Sequence, residues 1–307
     1  MTGLLLRRLA QAVFVVLVVT LLVSWAVRLS GDPTAMLLSG SGDITQADLD
    51  RIRASLGIDR PFIVQYLDFL RGLLVGDFGV TFFGRQSVGA LIAQALPATL
   101  LLALLSLALS LLVSIPLGMY AALRRGSAAD HLVRLLSLIG LSFPNFWLAI
   151  MLVLIFSIQL HWLPPSGFFT ADSLILPAVT LAVILSAINV RLVRTTMLDT
   201  LSSQYILVAR AKGVREAGVL FRHALRNCAI PLLTYIGLQF GDLLGGVVIV
   251  ERVFNWPGMG SLAFDAISAR DYPIIQGVIV VLASLIVAVN LAVDVAYGLI
   301  DPRVRVR

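Results

Sequence analysis

Apolar residues fall in six runs long enough to cross a bilayer, and the segments between them hold most of the charge. The runs cover about Leu9 to Leu29, Pro97 to Leu123, Leu135 to Leu160, Leu174 to Val193, Ala229 to Val250 and Ile274 to Ile300. About 20 apolar residues in a helix span a hydrocarbon core of about 30 Å, and in lipid a helix satisfies its own backbone hydrogen bonds. The pattern predicts an all-α polytopic membrane protein with six transmembrane helices. The first run follows Arg7 and Arg8, as in a secretion signal, but it is longer than a typical signal core and no clear small-x-small cleavage site follows, so it reads as an uncleaved anchor.

Between the first two runs, residues 30–96 carry two shorter helical stripes. Thr45 with Asp48 three residues on resembles a capping box ahead of Leu49, Ile52 and Leu56, and Phe62, Tyr66, Phe69, Leu70 and Leu73 follow Pro61 at helical spacing until Gly76 and Gly79. Such amphipathic helices lie flat on a leaflet or cap a pore, and the sequence leaves both open. The segment of about 194–228 reads as helix, break, helix: Ser202 or Ser203 caps a stretch through Ala211, Gly213 interrupts it, and Glu216 to Asn227 resumes before Pro231. The segment from Glu251 to Pro273 holds Pro257-Gly258, suited to the centre of a type II turn, beside an exposed Trp256 at the membrane interface.

Composition agrees with a membrane solvent: 59% of the residues are hydrophobic and 13% charged, against about half and a quarter in soluble domains. Of the 23 basic residues, 15 fall in segments that are cytoplasmic if the N-terminus is inside, among them Arg124, Arg125, Arg134, Arg194 and Arg222. Arginine and lysine are retained on that side, which predicts both termini in the cytoplasm and explains the basic balance without nucleic acid as a partner. The single Cys228 reads as packing, and His131, His161 and His223 lack metal-ligand spacing.

The stretch Tyr205-Ile-Leu-Val-Ala-Arg-Ala-Lys-Gly213, with His223-Ala-Leu-Arg-Asn-Cys-Ala-Ile-Pro231 after it, resembles the cytoplasmic loop of the dipeptide, oligopeptide, nickel and glutathione permeases of bacterial ATP-binding-cassette importers. Further pieces resemble that family in order along essentially the whole chain: Arg7-Arg8-Leu9, Gly31-Asp-Pro33, Leu56-Gly-Ile-Asp-Arg-Pro61, Gly76-Asp-Phe-Gly79, Gly237-Leu-Gln-Phe-Gly241, Glu251-Arg-Val-Phe-Asn-Trp-Pro-Gly258, Arg270-Asp-Tyr-Pro273, Asn290 with Asp294, and Asp301-Pro-Arg303. The general importer loop begins Glu-Ala-Ala, whereas Leu207 and Val208 stand here before Ala209, and the distance from Gly213 to Pro231 is also longer; both departures resemble the peptide-type branch.

The resemblance implies a permease fold of the type I importers in the bacterial inner membrane: a cytoplasmic N-terminus (1–8), a first span (9–29), a periplasmic helical segment (30–96), a transmembrane domain (97–300) and a cytoplasmic tail (301–307). It implies, as partners, a second homologous permease, two ATP-binding-cassette subunits (or one fused), a periplasmic or lipid-anchored binding protein, and membrane lipid. ATP and Mg would sit in those ATPase subunits, because the only lysine, Lys212, precedes Gly213 and no Walker A loop exists. Tyr205, Ala209, Arg210, Ala211, Lys212 and Gly213 would form the ATPase-coupling helix, with Ala209 and Gly213 as points of close approach and Arg210 and Lys212 as ionic contacts or simply topology signals.

Gly237, Gly241 and Gly245 make a smooth strip on the fifth span. Gln239 and Asp242 beside it, and Asn290 on the sixth, are candidates for a translocation pathway, since polar groups inside a membrane face protein or water. Glu251, Trp256, Pro257, Gly258, Asp271 and Tyr272 would form a periplasmic gate or docking loop. No catalytic or metal site is expected. Small peptides are the expected cargo, with glutathione or nickel as alternatives. A secondary transporter driven by an ion gradient is the competing class, although no internal repeat supports it.

Overall fold

The computed structural model describes residues 2–29, 31–34, 46–168 and 170–300. Thr45 of the expected capping box and Asp301-Pro-Arg303 lie outside the described residues. The chain divides into two compact units, Met1–Thr99 with Pro257–Ala288, and Leu100–Trp256 with Val289–Arg307.

The helices are α1 (Thr2–Leu29), α2 (Gln46–Leu56), α3 (Phe62–Leu74), α4 (Val88–Leu123), α5 (Ala128–Ser142), α6 (Asn145–Leu152), α7 (Ile175–Leu201), α8 (Gln204–Ala211), α9 (Leu225–Val253), α10 (Met259–Ala269) and α11 (Tyr272–Ile300). Among the described residues, five helices are long and apolar enough to cross a membrane, and a bent pair, Ala128–Ser142 with Asn145–Gln159, brings the number to six if it is one broken span.

The bend corrects the expectation of one straight third span. It amounts to 100°. Pro144 forces Phe143 out of the helical region to φ −90°, ψ 131°, and the ring of Phe143 stacks on Trp147 at 4.4 Å. Pro231 behaves differently. Instead of ending a helix it lies inside α9, which continues a path from Glu216–Gly218 through a π-helical stretch, Val219–Ala224. A spanning helix tolerates such a proline when neighbouring groups re-satisfy the freed backbone.

In the first unit, Val88, Ile92 and Ala95 of α4, Met259 and Ala266 of α10, and Ile274, Ile275 and Val278 of α11 form a buried core joined by Val27 of α1. Polar bonds fix the loops around it. Thr99 Oγ1 accepts from the Met259 amide at 2.7 Å, Arg270 donates to the Asp32 carbonyl at 3.1 Å, Tyr272 donates to the Gly31 carbonyl, and Arg53 Nε donates to Asp32 Oδ2 at 2.7 Å. Gly72 is required by space: a Cβ there would stand 2.6 Å from the Asp77 carbonyl oxygen.

In the second unit α7 is the central helix, with α5, α6 and α9 packed against it. Met119 and Ala122 of α4, Val193 and Met197 of α7, and Cys228 and Leu232 of α9 share one core. Gly118 lets α4 approach α7, since a Cβ there would meet Val193 Cβ at 2.7 Å. A hydrogen bond from Asn189 Nδ2 to Ser110 Oγ, 3.0 Å, crosses the same interface in a fully buried position. In an apolar medium such small-residue and amide contacts replace the hydrophobic drive that water supplies elsewhere.

Candidate functional site

Helix α8 is short and sits between two long ones. Ser203 occupies its N-cap position, extended at φ −74°, ψ 149°. At its other end Gly213 takes φ +77°, while the Gly213 amide bonds to the Arg210 carbonyl (2.9 Å) and the Val214 amide to the Ala209 carbonyl (3.2 Å). That pair of bonds is the Schellman stop, which favours glycine because a Cβ is unfavourable in the left-handed region. Beyond its own chain neighbours, no atom of the described residues lies within 4 Å of where a Gly213 Cβ would be, so the glycine is required here by its dihedral angle.

Three contacts hold α8 in place. Ile206 is fully buried, Asn227 donates to the Tyr205 hydroxyl, and Arg210 forms a two-pronged pair with Glu216 across the break, at 2.5 and 3.2 Å. The pair accounts for Arg210 within the chain itself. Several other apolar side chains of this region are exposed, Leu207 to 57% and Val208 to 52%, with Tyr205, Val214 and Phe221, whereas Val219 is fully buried. Arg215, Arg222 and Lys212 stand close by in sequence. Exposed apolar side chains with basic residues nearby in sequence, on an element that is itself docked, have the composition of a protein-binding face.

One residue near this end escaped the reading from sequence. Asp130, 1% exposed, accepts from Arg194 Nε at 2.6 Å and Nη2 at 2.8 Å and from the Gly126 amide at 3.0 Å, tying the start of α5 to α7. Its signal was available: Asp130 is the only acidic residue between Asp77 and Asp172. Removing one member of a buried pair strands the other, so Asp130→Asn should cost about 2–3 kcal/mol, read as a lower melting temperature of the purified protein in detergent. Arg194→Lys, which keeps charge but not the two-pronged geometry, should cost less. Identical melting of all three proteins would show that the pair contributes nothing.

Along α9, the exposed positions Thr234, Leu238, Asp242, Gly245 and Ile249 follow one another at three- and four-residue spacing and form a single face. Asp242 is on it. Gln239 is buried within the chain, and its amide nitrogen and oxygen have no hydrogen-bond partner among the described residues. Asn290 on α11 is exposed. Of the glycine strip, Gly237 touches a neighbour, where a Cβ would meet Val293 at 2.7 Å, whereas the space over Gly245 is open.

The segment expected as a gate or docking loop is mostly interior. Trp256 is 1% exposed, which corrects its expected place at the membrane interface: its ring meets Phe168 edge-on at 4.6 Å, and the Gly167 amide donates to the Phe254 carbonyl at 2.8 Å. Glu251 is fully buried, and its carbonyl accepts from the Trp256 amide at 2.7 Å. Gly258 has φ −103°, ψ 178°, so no type II turn forms; the turn is made by Asn255 at φ +49°, and Gly258 precedes α10 as its N-cap, with Pro257 exposed before it. In the first unit Asp271 and Tyr272 are buried as well. Burial pushes the Asp271 carboxyl up despite a hydrogen bond from the Phe82 amide at 3.0 Å.

Residues 114–306 match the family described as binding-protein-dependent transport system inner membrane component, and residues 1–103 match its N-terminal companion. A chain of Brucella abortus (strain 2308), named for a peptide transport system permease, is 42% identical over 99% of both chains. The glutathione transport system permease protein GsiC of Salmonella typhimurium is 39% identical over 98% of both. Among solved structures, the MetNI methionine ABC transporter in an inward-facing conformation superposes with a TM-score of 0.57 at 16% identity, covering 69% of this chain and 96% of that one, a likeness of fold.

Proposed function

Because this chain belongs to the binding-protein-dependent transport system inner membrane component family, a multi-pass permease family of ABC importers, we propose that it carries short peptides inward by alternating access driven by ATP hydrolysis on separate subunits. The observation that carries this reading is the outward apolar face of α8 and its neighbours, Tyr205, Leu207, Val208, Val214 and Phe221. It receives the ATPase subunits, which hold ATP and Mg, and α8 passes their movement to α9 through Tyr205–Asn227 and Arg210–Glu216. The assembly contains a second permease, two ATPase subunits or a fused pair, and an external binding protein that selects the cargo. In this reading both termini lie in the cytoplasm, which the distribution of arginine supports.

The pathway runs past the exposed face of α9. An exposed carboxylate in a spanning helix is costly against lipid, so Asp242 faces water or the second permease. Asn290 contributes from α11. Gln239, buried with no hydrogen-bond partner among the described residues, is the group whose bonding changes when the helices move. The relatives named for peptide and glutathione transport support a peptide cargo, since glutathione is itself a tripeptide.

The test is uptake of labelled peptides and of glutathione by cells carrying the complete set of subunits. Uptake should require the ATPase subunits; accumulation without them would favour an ion-gradient transporter and overturn the reading. Gly213→Val should assemble but lose uptake while ATP hydrolysis continues, because a β-branched residue at φ +77° costs about 1–2 kcal/mol and unwinds the stop that sets α8. Normal uptake by a normally assembled variant would remove Gly213 from the coupling role.

A further inference from the structure

Helix α3 carries an apolar face that the chain itself leaves open. Ile63, Leu67 and Leu74 are exposed, Leu74 to 88%, and Val64 and Val75 extend the same surface. At 100° per residue, Ile63, Leu67 and Leu74 share one side, and Tyr66 points to the quarter beside them. Gln65, Asp68, Phe69 and Gly72 occupy the opposite side, where they line a cavity of about 280 Å³ with Arg28, Arg60 and Gln276.

The position of α3 along α1 identifies what covers the apolar side. The Tyr66 hydroxyl donates to the Leu17 carbonyl at 3.2 Å and lies 3.0 Å from Thr20 Oγ1. Leu17 is about 18 Å short of the end of α1 at Leu29, at 1.5 Å rise per residue. One helical turn earlier, Phe62 lies under the guanidinium of Arg28, 4.6 Å from the ring centre, and Gln65 accepts from the same arginine. Helix α3 is therefore held alongside a membrane span from near its C-terminal end, at Arg28, to about its middle, at Leu17, and that span's own Leu21, Leu22, Trp25 and Leu29 are exposed.

We propose that α3 is embedded in the outer leaflet, with Ile63, Leu67 and Leu74 among phospholipid acyl chains and the cavity side turned toward the aqueous face. The occupant of the open face is lipid because α3 lies alongside a membrane span whose own Leu21, Leu22, Trp25 and Leu29 are exposed. Arg71, exposed and one turn from Leu67, pairs with Asp68 at 3.6 Å, which turns its charge away from the apolar side. The device sets the height of the external segment above the membrane without a covalent anchor. It rests on the proposed orientation of the chain only for the choice of leaflet.

The test uses the complete importer in a Cys228→Ala background, which removes the single native thiol. Ile63→Cys, Leu67→Cys, Leu74→Cys and Asp68→Cys are labelled with an environment-sensitive fluorophore in nanodiscs, with and without lipid spin-labelled high on its acyl chain, and are treated in intact cells with an impermeant maleimide. The three apolar sites should be quenched by the spin-labelled lipid and should react roughly tenfold more slowly than Asp68→Cys. Fast reaction without quenching makes the face aqueous, and slow reaction without quenching places another protein on it; either result overturns the proposal. If Asp68→Cys reacts only in inverted vesicles, the orientation fails and with it the outer leaflet, while quenching still reports lipid contact separately.

Discussion

A chain carrying Leu207→Asp together with Val208→Asp should insert and fold normally but fail to retain its ATPase subunits. Neither side chain supports the fold of α8, whose one buried anchor is Ile206, and both are more than half exposed. Within the isolated chain the substitutions cost only the difference in helix propensity, about 0.5 kcal/mol each. In an interface the balance reverses. Two carboxylates without partners would be taken out of water, at about 2 kcal/mol or more each, and the apolar burial of leucine and valine would be lost. The two carboxylates alone amount to roughly a thousandfold weaker association, and the lost burial adds to it. The measurement is the amount of ATPase subunit that co-purifies with the tagged permease, with the permease itself checked by size exclusion and circular dichroism. Lys212→Ala, at the rim, should change retention little. Full retention by the double variant would mean that the motor docks elsewhere.

The second large effect concerns Trp256. Its burial against Phe168 makes it a packing residue between the end of α9 and the segment around Gly167, so Trp256→Ala should destabilise the protein by about 3–5 kcal/mol. Trp256→Phe retains an aromatic ring and should cost about 1–2 kcal/mol, while Pro257→Ala, next in sequence but exposed, should lie within about 0.5 kcal/mol of the parent. Thermal unfolding in detergent separates these variants. If Trp256 instead serves as an external docking side chain, Trp256→Ala will melt like the parent and lose only the response to the binding protein.

The contrast between these two residues shows where sequence reasoning succeeds. The break at Gly213 and the extent of α8 were legible because they depend on local backbone preference: an extended serine at the N-cap position, although its hydroxyl donates back to the Thr200 carbonyl and makes no cap bond, and a glycine at the left-handed stop. Trp256 was misjudged because its neighbour Phe168 is remote in sequence, and a tryptophan next to Pro-Gly looks the same whether it faces lipid or a core. The buried pair of Asp130 and Arg194 spans 64 positions and escaped for the same reason. Pro144 and Pro231 were equally visible, yet one bends its helix by 100° and the other sits inside a continuous one. Proline removes one amide donor in both cases, and the surrounding helices decide whether that gap becomes a bend.

Six apolar runs, the short amphipathic helices and the stop at Gly213 were determined by the sequence itself, since hydrophobic length and backbone preference act over one to a few turns. Which side of each helix turns inward was settled only in the tertiary structure: Gln239 buried and Asp242 exposed three residues later, Trp256 interior, and Tyr66 holding α3 alongside α1. In a chain this apolar, most faces of the spanning helices are greasy enough for lipid, so packing shape and the need to satisfy polar groups, more than hydrophobicity, choose the contacts.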